Sequence, residues 1–242
     1  MMLPEHQTQN IEYPPSHGRL LVCAATLPEL QTFWRSGETW PIDEERYWAE
    51  TGKLILAITG VGIPCTLLRL PRLLAEFKPD LVLNIGIAGA YPNSGLAIGD
   101  VAMACSETFG DIGFELPEDP GFRSIADAPF GRFYRKLPMT LVPAFRHSPV
   151  GSAFHEIDGC TVNACTGTAQ TGLMRERLFA VGMESMEGAA VALACDAAGI
   201  PACELRAISN IAAERSMLPA NIRLALQRLR DTLAVCRERE GI

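Results

Sequence analysis

The stretch KLILAITGVGIPCTLLRLPRLLAEF, Lys53 to Phe77, decides the fold. Its aliphatic first part predicts a strand over 53–59. Gly60 and Gly62 then supply a tight turn, and apolar residues continue into a helix that is interrupted or started again near Pro71. Strand, glycine turn and helix make one unit of an α/β sheet. The unit recurs on both sides. Upstream, RLLVCAAT (Arg19 to Thr26) is a short apolar run followed by LPELQTFW, with the Pro and acid of a first helical turn. Downstream, DLVLNIGIAGAY (Asp80 to Tyr91) reads as strand and glycine turn, and AIGDVAMACSETF (Ala97 to Phe109) as a further strand.

Between Leu116 and Pro149 prolines are frequent and periodicity is weak, which predicts loop and helix decoration around the sheet. Regularity returns with GCTVNACTGTA, a strand leading into a loop, and FAVGMESM, another strand. EGAAVALACDAAG is a helix closed by Gly199 before Pro201, ACELRAISN a buried strand, and IRLALQRLRDTLAVCRERE a final amphipathic helix. Such alternation predicts a mostly parallel sheet covered on both faces, without internal repeats.

The chain of 242 residues suits one large α/β domain over 19–242, preceded by a polar, proline-bearing flexible tail over 1–18. That tail lacks the basic start and apolar run of a signal peptide, and no apolar run reaches transmembrane length. A net charge of -7 with no Lys/Arg block gives no reason to expect nucleic acid or membrane as partner, so small solutes are expected. The eight cysteines form no CxxC pair and most sit in apolar runs, as reduced core residues of a cytoplasmic protein do. None of the four histidines has ligand spacing, so neither a metal nor any other cofactor is expected.

Ligands of open α/β sheets bind outside the carboxyl ends of the strands. In TGVG and NIGIAG, glycines either let a ligand approach the main chain or merely make tight turns. Glu187 follows a strand at the start of a helix. There the dipole and unpaired amides hold a carboxylate ionised, either to accept two neighbouring hydroxyls or simply to stabilise the helix. Glu184 has the same bland alternative, and Met186 by default fills core. Asn210 closes the strand CELRAISN. Its amide donates and accepts, as reading a heterocycle edge requires, or else it forms an Asx turn or cap. Arg206, inside that apolar strand, is matched to a buried carboxylate such as Glu184 or Glu204.

Taken together, GVG, NIGIAGA, IGDV, ESMEGAA and RAISN, in this order and at these separations, resemble the nucleoside phosphorylase and nucleosidase superfamily. The combination of TVNACTGTA, ESMEGAAVA and RAISN followed by a basic stretch is most similar to its futalosine hydrolase branch, a menaquinone-pathway nucleosidase. The likeness runs from about Arg19 to Val235 and is poorest in the middle. It implies a twisted mixed central sheet flanked by helices, and a homodimer or larger homo-oligomer. By position, Glu187 binds the ribose 2′- and 3′-hydroxyls, with Met186 beneath the sugar, and Asn210 addresses the purine. Ile87, Ala88, Gly89, Ser209 and Thr168 complete the implied substrate contacts. Glu184 would support the turn or Arg206.

Cleaving an N-ribosidic bond builds positive charge on the sugar and negative charge on the departing base, so an anion and a donor are needed at the two ends. Glu187 and Asn210 supply them. Adenine nucleosidases of the superfamily usually carry Asp at the position of Asn210, whereas phosphorylases of 6-oxopurines often carry Asn, which points to an inosine-like substrate such as futalosine and to release of hypoxanthine. Phosphorylases commonly hold phosphate with a Ser where this chain has Ile87, which favours water as the nucleophile. The acid that activates water in the adenine nucleosidases aligns with Leu27. Glu29, two residues on, is either the general base or an ordinary first-turn acid. A phosphorylase, a methylthioadenosine-type nucleosidase and a non-catalytic nucleoside-binding protein remain alternatives. For the benzoate on the 5′ side of futalosine, Arg215 and His155 are the candidates.

Overall fold

The computed structural model describes residues 18–35, 37–43, 45–142, 154–213 and 217–240. Its centre is a run of parallel strands, β1 (Leu20–Ala24), β3 (Leu54–Ile58), β4 (Leu81–Ala90) and β11 (Ala202–Ile211), in the spatial order β3-β1-β4-β11. All of β1 is buried. Leu21 and Cys23 point to one core, Leu20, Val22 and Ala24 to the other, the signature of a strand covered on both faces. The edge strand β2 (Trp48–Thr51) is antiparallel to β3.

Beyond β11 the sheet stops being parallel. The helix-free stretch between Ala90 and Val101 is too short for a covered parallel crossover, so β5 (Val101–Phe109) runs antiparallel to β11 on its far side. Next to β5 lies β9 (Phe154–Thr161), then β10 (Met183–Ser185), both parallel to it. The last of these also pairs with β4, Met183 opposite Ala90 and Glu184 opposite Gly89, so that five strands close into a ring. The sheet is therefore mixed, with five parallel and four antiparallel pairings among the described residues. Among the described residues the middle segment adds a hairpin of β6 (Gly113–Glu115) and β7 (Phe122–Ser124), short 3-10 turns, and β8 (Leu137–Pro138) on β5.

Two helices, α2 (Ile63–Phe77) and α4 (Gly188–Ala198), cover one face. On the other lie the short α1 (Leu27–Leu30) and α5 (Pro219–Glu240), which buries Ala225, Leu229 and Leu233. Pro71 does not interrupt α2. It sits on the exposed side, where the carbonyl of Leu67 that it leaves unpaired faces water. Small residues let α4 lie almost wholly buried, and Gly199 ends it in a left-handed conformation. A further helix, α3 (Ala169–Phe179), has no counterpart in the sequence reading. It buries only Gly172 and Arg175, so it carries no apolar stripe to read.

NIGIAGA is not a glycine turn: β4 passes straight through it. In β11, one extra residue is accommodated between Ile208 and Asn210 relative to β4, a bulge that turns the end of the strand. All eight cysteines are unbridged, and no helix among the described residues is long and apolar enough to cross a membrane.

Candidate active site

A cavity of about 410 Å³ opens at the carboxyl ends of β1, β4 and β11 and beside the head of α4. Glu29 lines it from α1 and Ile87, Ala88 and Gly89 from β4, with Met186, Glu187, Ser209 and Asn210 also on its wall. Thr168 does not. Its hydroxyl caps α3 by accepting the Thr171 amide at 3.2 Å, and the residue is exposed.

Glu187 occupies the N-cap position of α4, yet its carboxylate makes no bond to that helix. Instead Oε1 accepts the Gly62 amide at 2.9 Å, from the N-cap of α2, and Oε2 faces Arg206 Nη2 at 3.5 Å. The bland reading, a first-turn acid serving its own helix, does not describe it. Nor does the helix dipole dominate its charge state: burial pushes the Glu187 carboxyl above the usual range, and the Arg206 guanidinium and the Gly62 amide offset part of that.

Arg206 lies flat against β4. A Cβ on Gly86 would collide with its Nη1 and come 2.7 Å from Glu29 Oε1, so glycine is needed in mid-strand for close approach, not for a turn. Its Nε donates to Glu204 at 2.6 Å. Of the two acids matched to Arg206 from sequence, Glu204 is therefore a partner and Glu184 is not. Glu184 pairs with Arg175 at 3.0 Å, accepts from Tyr91 Oη at 2.9 Å, and accepts the Thr166 amide at 2.8 Å, which fastens the loop before α3 to the cavity wall.

Glu29 is both first-turn acid and cavity residue. One oxygen accepts from the Thr26 amide at 3.1 Å and its hydroxyl at 2.7 Å, a capping-box contact legible in the spacing Thr26-x-x-Glu29. The other accepts the Ile87 amide at 3.0 Å. Leu27, at the position aligned with an acid, packs toward the core under α5. Sequence reasoning found the TGVG turn but not that the Gly62 amide serves Glu187, and it missed Thr26 and Thr166. Gly62 contributes only its backbone, and the two threonines act by holding acids.

Asn210 makes no cap. The Ser209 hydroxyl lies 2.9 Å from its Oδ1, and its Nδ2 reaches the Ile211 carbonyl at 3.3 Å, which leaves one N–H for the cavity. The far wall is apolar, with Met217, Ile222 and Leu226. Among the described residues lining the cavity there is no Lys, Arg or His. His155 faces Asp100 at 3.4 Å, away from it, and Arg215 lies outside the described residues. No group of three or more potential metal ligands exists among the described residues.

The sequence model of the phosphorylase superfamily matches residues 19–236. A futalosine hydrolase of Streptomyces coelicolor is 35% identical over 64% of this chain and 63% of its own length, and one of Thermus thermophilus is 31% identical over 65% and 69%. The fold matches a Helicobacter pylori MTAN variant solved with 5′-methylthioadenosine in its active site, with a TM-score of 0.72 at 18% identity, over 92% of this chain and 99% of that one.

Proposed function

The chain belongs to the phosphorylase superfamily, and on that premise we propose that it hydrolyses the N-ribosidic bond of futalosine, a 6-oxopurine nucleoside, releasing hypoxanthine in menaquinone biosynthesis. The observation that carries this reading is that Glu187 and Asn210 face one cavity, with Glu29 on its wall.

Each side chain has a part. Glu187, its free lone pairs turned to the cavity, accepts the ribose 2′- and 3′-hydroxyls, and its charge opposes the positive charge that develops on the sugar. Arg206 keeps that carboxylate oriented. Asn210 offers its remaining N–H to O6 or N7 as the purine takes up the electron pair of the breaking bond. An exocyclic amino group in place of O6 would meet a donor with a donor, which favours the 6-oxo ring. Glu29 accepts a proton from the attacking water. Met186 supports the sugar, and Ile87, Ala88, Gly89 and Ser209 shape the wall.

Water rather than phosphate is favoured by a second feature. The Ile87 amide, a donor an anion would use, is taken by Glu29, and a carboxylate at that spot repels phosphate. The same reading takes in a cytoplasmic homo-oligomer, supported by the unbridged thiols and by Val61 and Met217, exposed apolar residues of the cavity wall. Light scattering of the purified chain tests the assembly.

The deciding experiment assays futalosine, inosine, adenosine and methylthioadenosine in phosphate-free buffer. Hypoxanthine release from futalosine without phosphate is the expected result; strict dependence on phosphate rules out hydrolysis, and turnover of methylthioadenosine alone rules out the 6-oxo preference. Futalosine binding with no turnover would leave the chain a nucleoside-binding protein.

A further inference from the structure

Behind the cavity lie two acids that sugar chemistry does not require. Glu107 of β5 and Glu204 of β11 are both wholly buried. Glu204 Oε1 accepts from Arg206 Nε and from Asn84 Nδ2, at 2.6 and 3.3 Å, and Glu107 Oε2 accepts from the Thr161 hydroxyl at 2.7 Å. Each acid keeps one oxygen, Glu204 Oε2 and Glu107 Oε1, without a partner among the described residues.

These two oxygens converge. A Cβ built on Gly188 would lie 2.5 Å from the first and 2.7 Å from the second, and the two carboxyls are within hydrogen-bonding reach of each other. Gly188 and Gly159 leave the room: a side chain at either would strike the Glu107 carboxyl. Two buried acceptors facing each other without a donor is an arrangement folded proteins avoid, and one proton between them satisfies both. Charge argues the same way, because Glu29, Glu107, Glu187 and Glu204 surround a single guanidinium, that of Arg206. Burial and the neighbouring Glu204 push the Glu107 carboxyl well above the usual range, against the pull of Thr161 and Arg206. The proton belongs on Glu107.

We infer that Glu107 and Glu204 share one proton and that this pair positions the Glu187 carboxylate. It acts by two routes. Through Glu204 it fixes Arg206 by Nε, which presents Nη2 to Glu187. Through Thr161, whose Oγ1 donates to Glu107 and accepts the Ala189 amide at 2.7 Å, it fixes the first turn of α4, where Glu187 sits. The groups that face the pair are Arg206 from β11, Glu187 from the head of α4, Thr161 and the Cys160 thiol from β9, Asn84 from β4 and the Cys23 thiol from β1, with Glu29 beyond Arg206. None of them supplies another donor to the two free oxygens.

The positioning role rests on Glu187 as the sugar-binding acid; the shared proton does not. Infrared spectra of the wild type and Glu107→Gln, in H2O and D2O at neutral pH, test the proton. A deuterium-sensitive C=O band of a buried protonated carboxyl is expected in the wild type and absent from the variant, and its absence from the wild type overturns the pair whether or not any nucleoside is cleaved. For the positioning, KM for futalosine is expected to rise roughly tenfold in Glu107→Leu, the scale of one charge-assisted hydrogen bond lost at one remove. Glu107→Gln, whose amide can donate to Glu204 and accept from Thr161, should recover most of it. Equal KM losses in both folded variants overturn the positioning, and the infrared comparison decides even where Glu107→Leu does not fold.

Discussion

Glu187 and Gly62, 125 residues apart in sequence, meet at 2.9 Å, the carboxylate of one helix cap accepting the backbone amide of another. The contact ties α4 to α2 beside the cavity that Glu187 lines. It also frees the acid from its own helix, and the consequences are measurable.

Replacing Glu187 by Gln keeps an acceptor for Gly62 but removes the anion beside the sugar. Loss of one preorganised electrostatic partner of a charged transition state costs about a hundredfold or more in kcat. Because the side chain caps nothing in α4 and burial opposes its charge, the unfolding midpoint should not fall. Steady-state kinetics and calorimetry on one preparation check both halves.

In Asn210→Asp the free donor becomes an acceptor. The ratio of kcat/KM for inosine to that for adenosine should drop, by an amount on the order of the 1–3 kcal/mol that a mispaired buried polar edge costs. Equal losses on the two substrates would remove Asn210 from recognition of the purine.

Glu29→Gln retains an oxygen for the Ile87 amide and turns its NH2 to the Thr26 hydroxyl, which can accept, at the loss of the Thr26 amide contact. Without a base, kcat should fall by roughly 10²–10⁴ while KM changes little. Unchanged kcat would send the search for the base elsewhere on the wall.

Thr168 is expected to matter for stability alone. Loss of the α3 cap in Thr168→Ala should lower stability by about 1 kcal/mol in denaturant unfolding, with kcat and KM unaltered. A raised KM would bring Thr168 back to the substrate.

Stability should depend on pH through the buried acids. The Glu107 carboxyl has its folded value raised above the ordinary 4.5, so in the window between them the native state holds the proton and the unfolded chain does not. Stability therefore declines as pH rises from about 4.5 toward the raised value. Denaturation midpoints across that range should fall less steeply in Glu107→Gln than in the wild type.

How much of this was legible in the sequence varies by element. The strands at Leu20–Ala24, Leu54–Ile58 and Ala202–Ile211 and the helix ending at Gly199 were legible, because continuous apolar runs and a glycine stop are local signals. Helix α3 was not, since it carries no apolar stripe, nor was the straight passage of β4 through NIGIAGA, because a glycine required for an arginine's approach looks the same as one required for a bend.

Residue order alone determined the class of fold, the superfamily and the identity of Glu187 and Asn210 as a pair worth testing, since these rest on patterns contiguous along the chain. Only the tertiary structure decided what each polar group faces: that Glu187 turns to Gly62 and Arg206, that Glu184 belongs to Arg175, that Glu29 reaches Ile87, and that Glu107 and Glu204 converge on Gly188. The physical reason is that hydrogen bonds and buried charges act over a few ångströms in space, and the partners here come from strands and helices whose adjacency exists only once the sheet has closed.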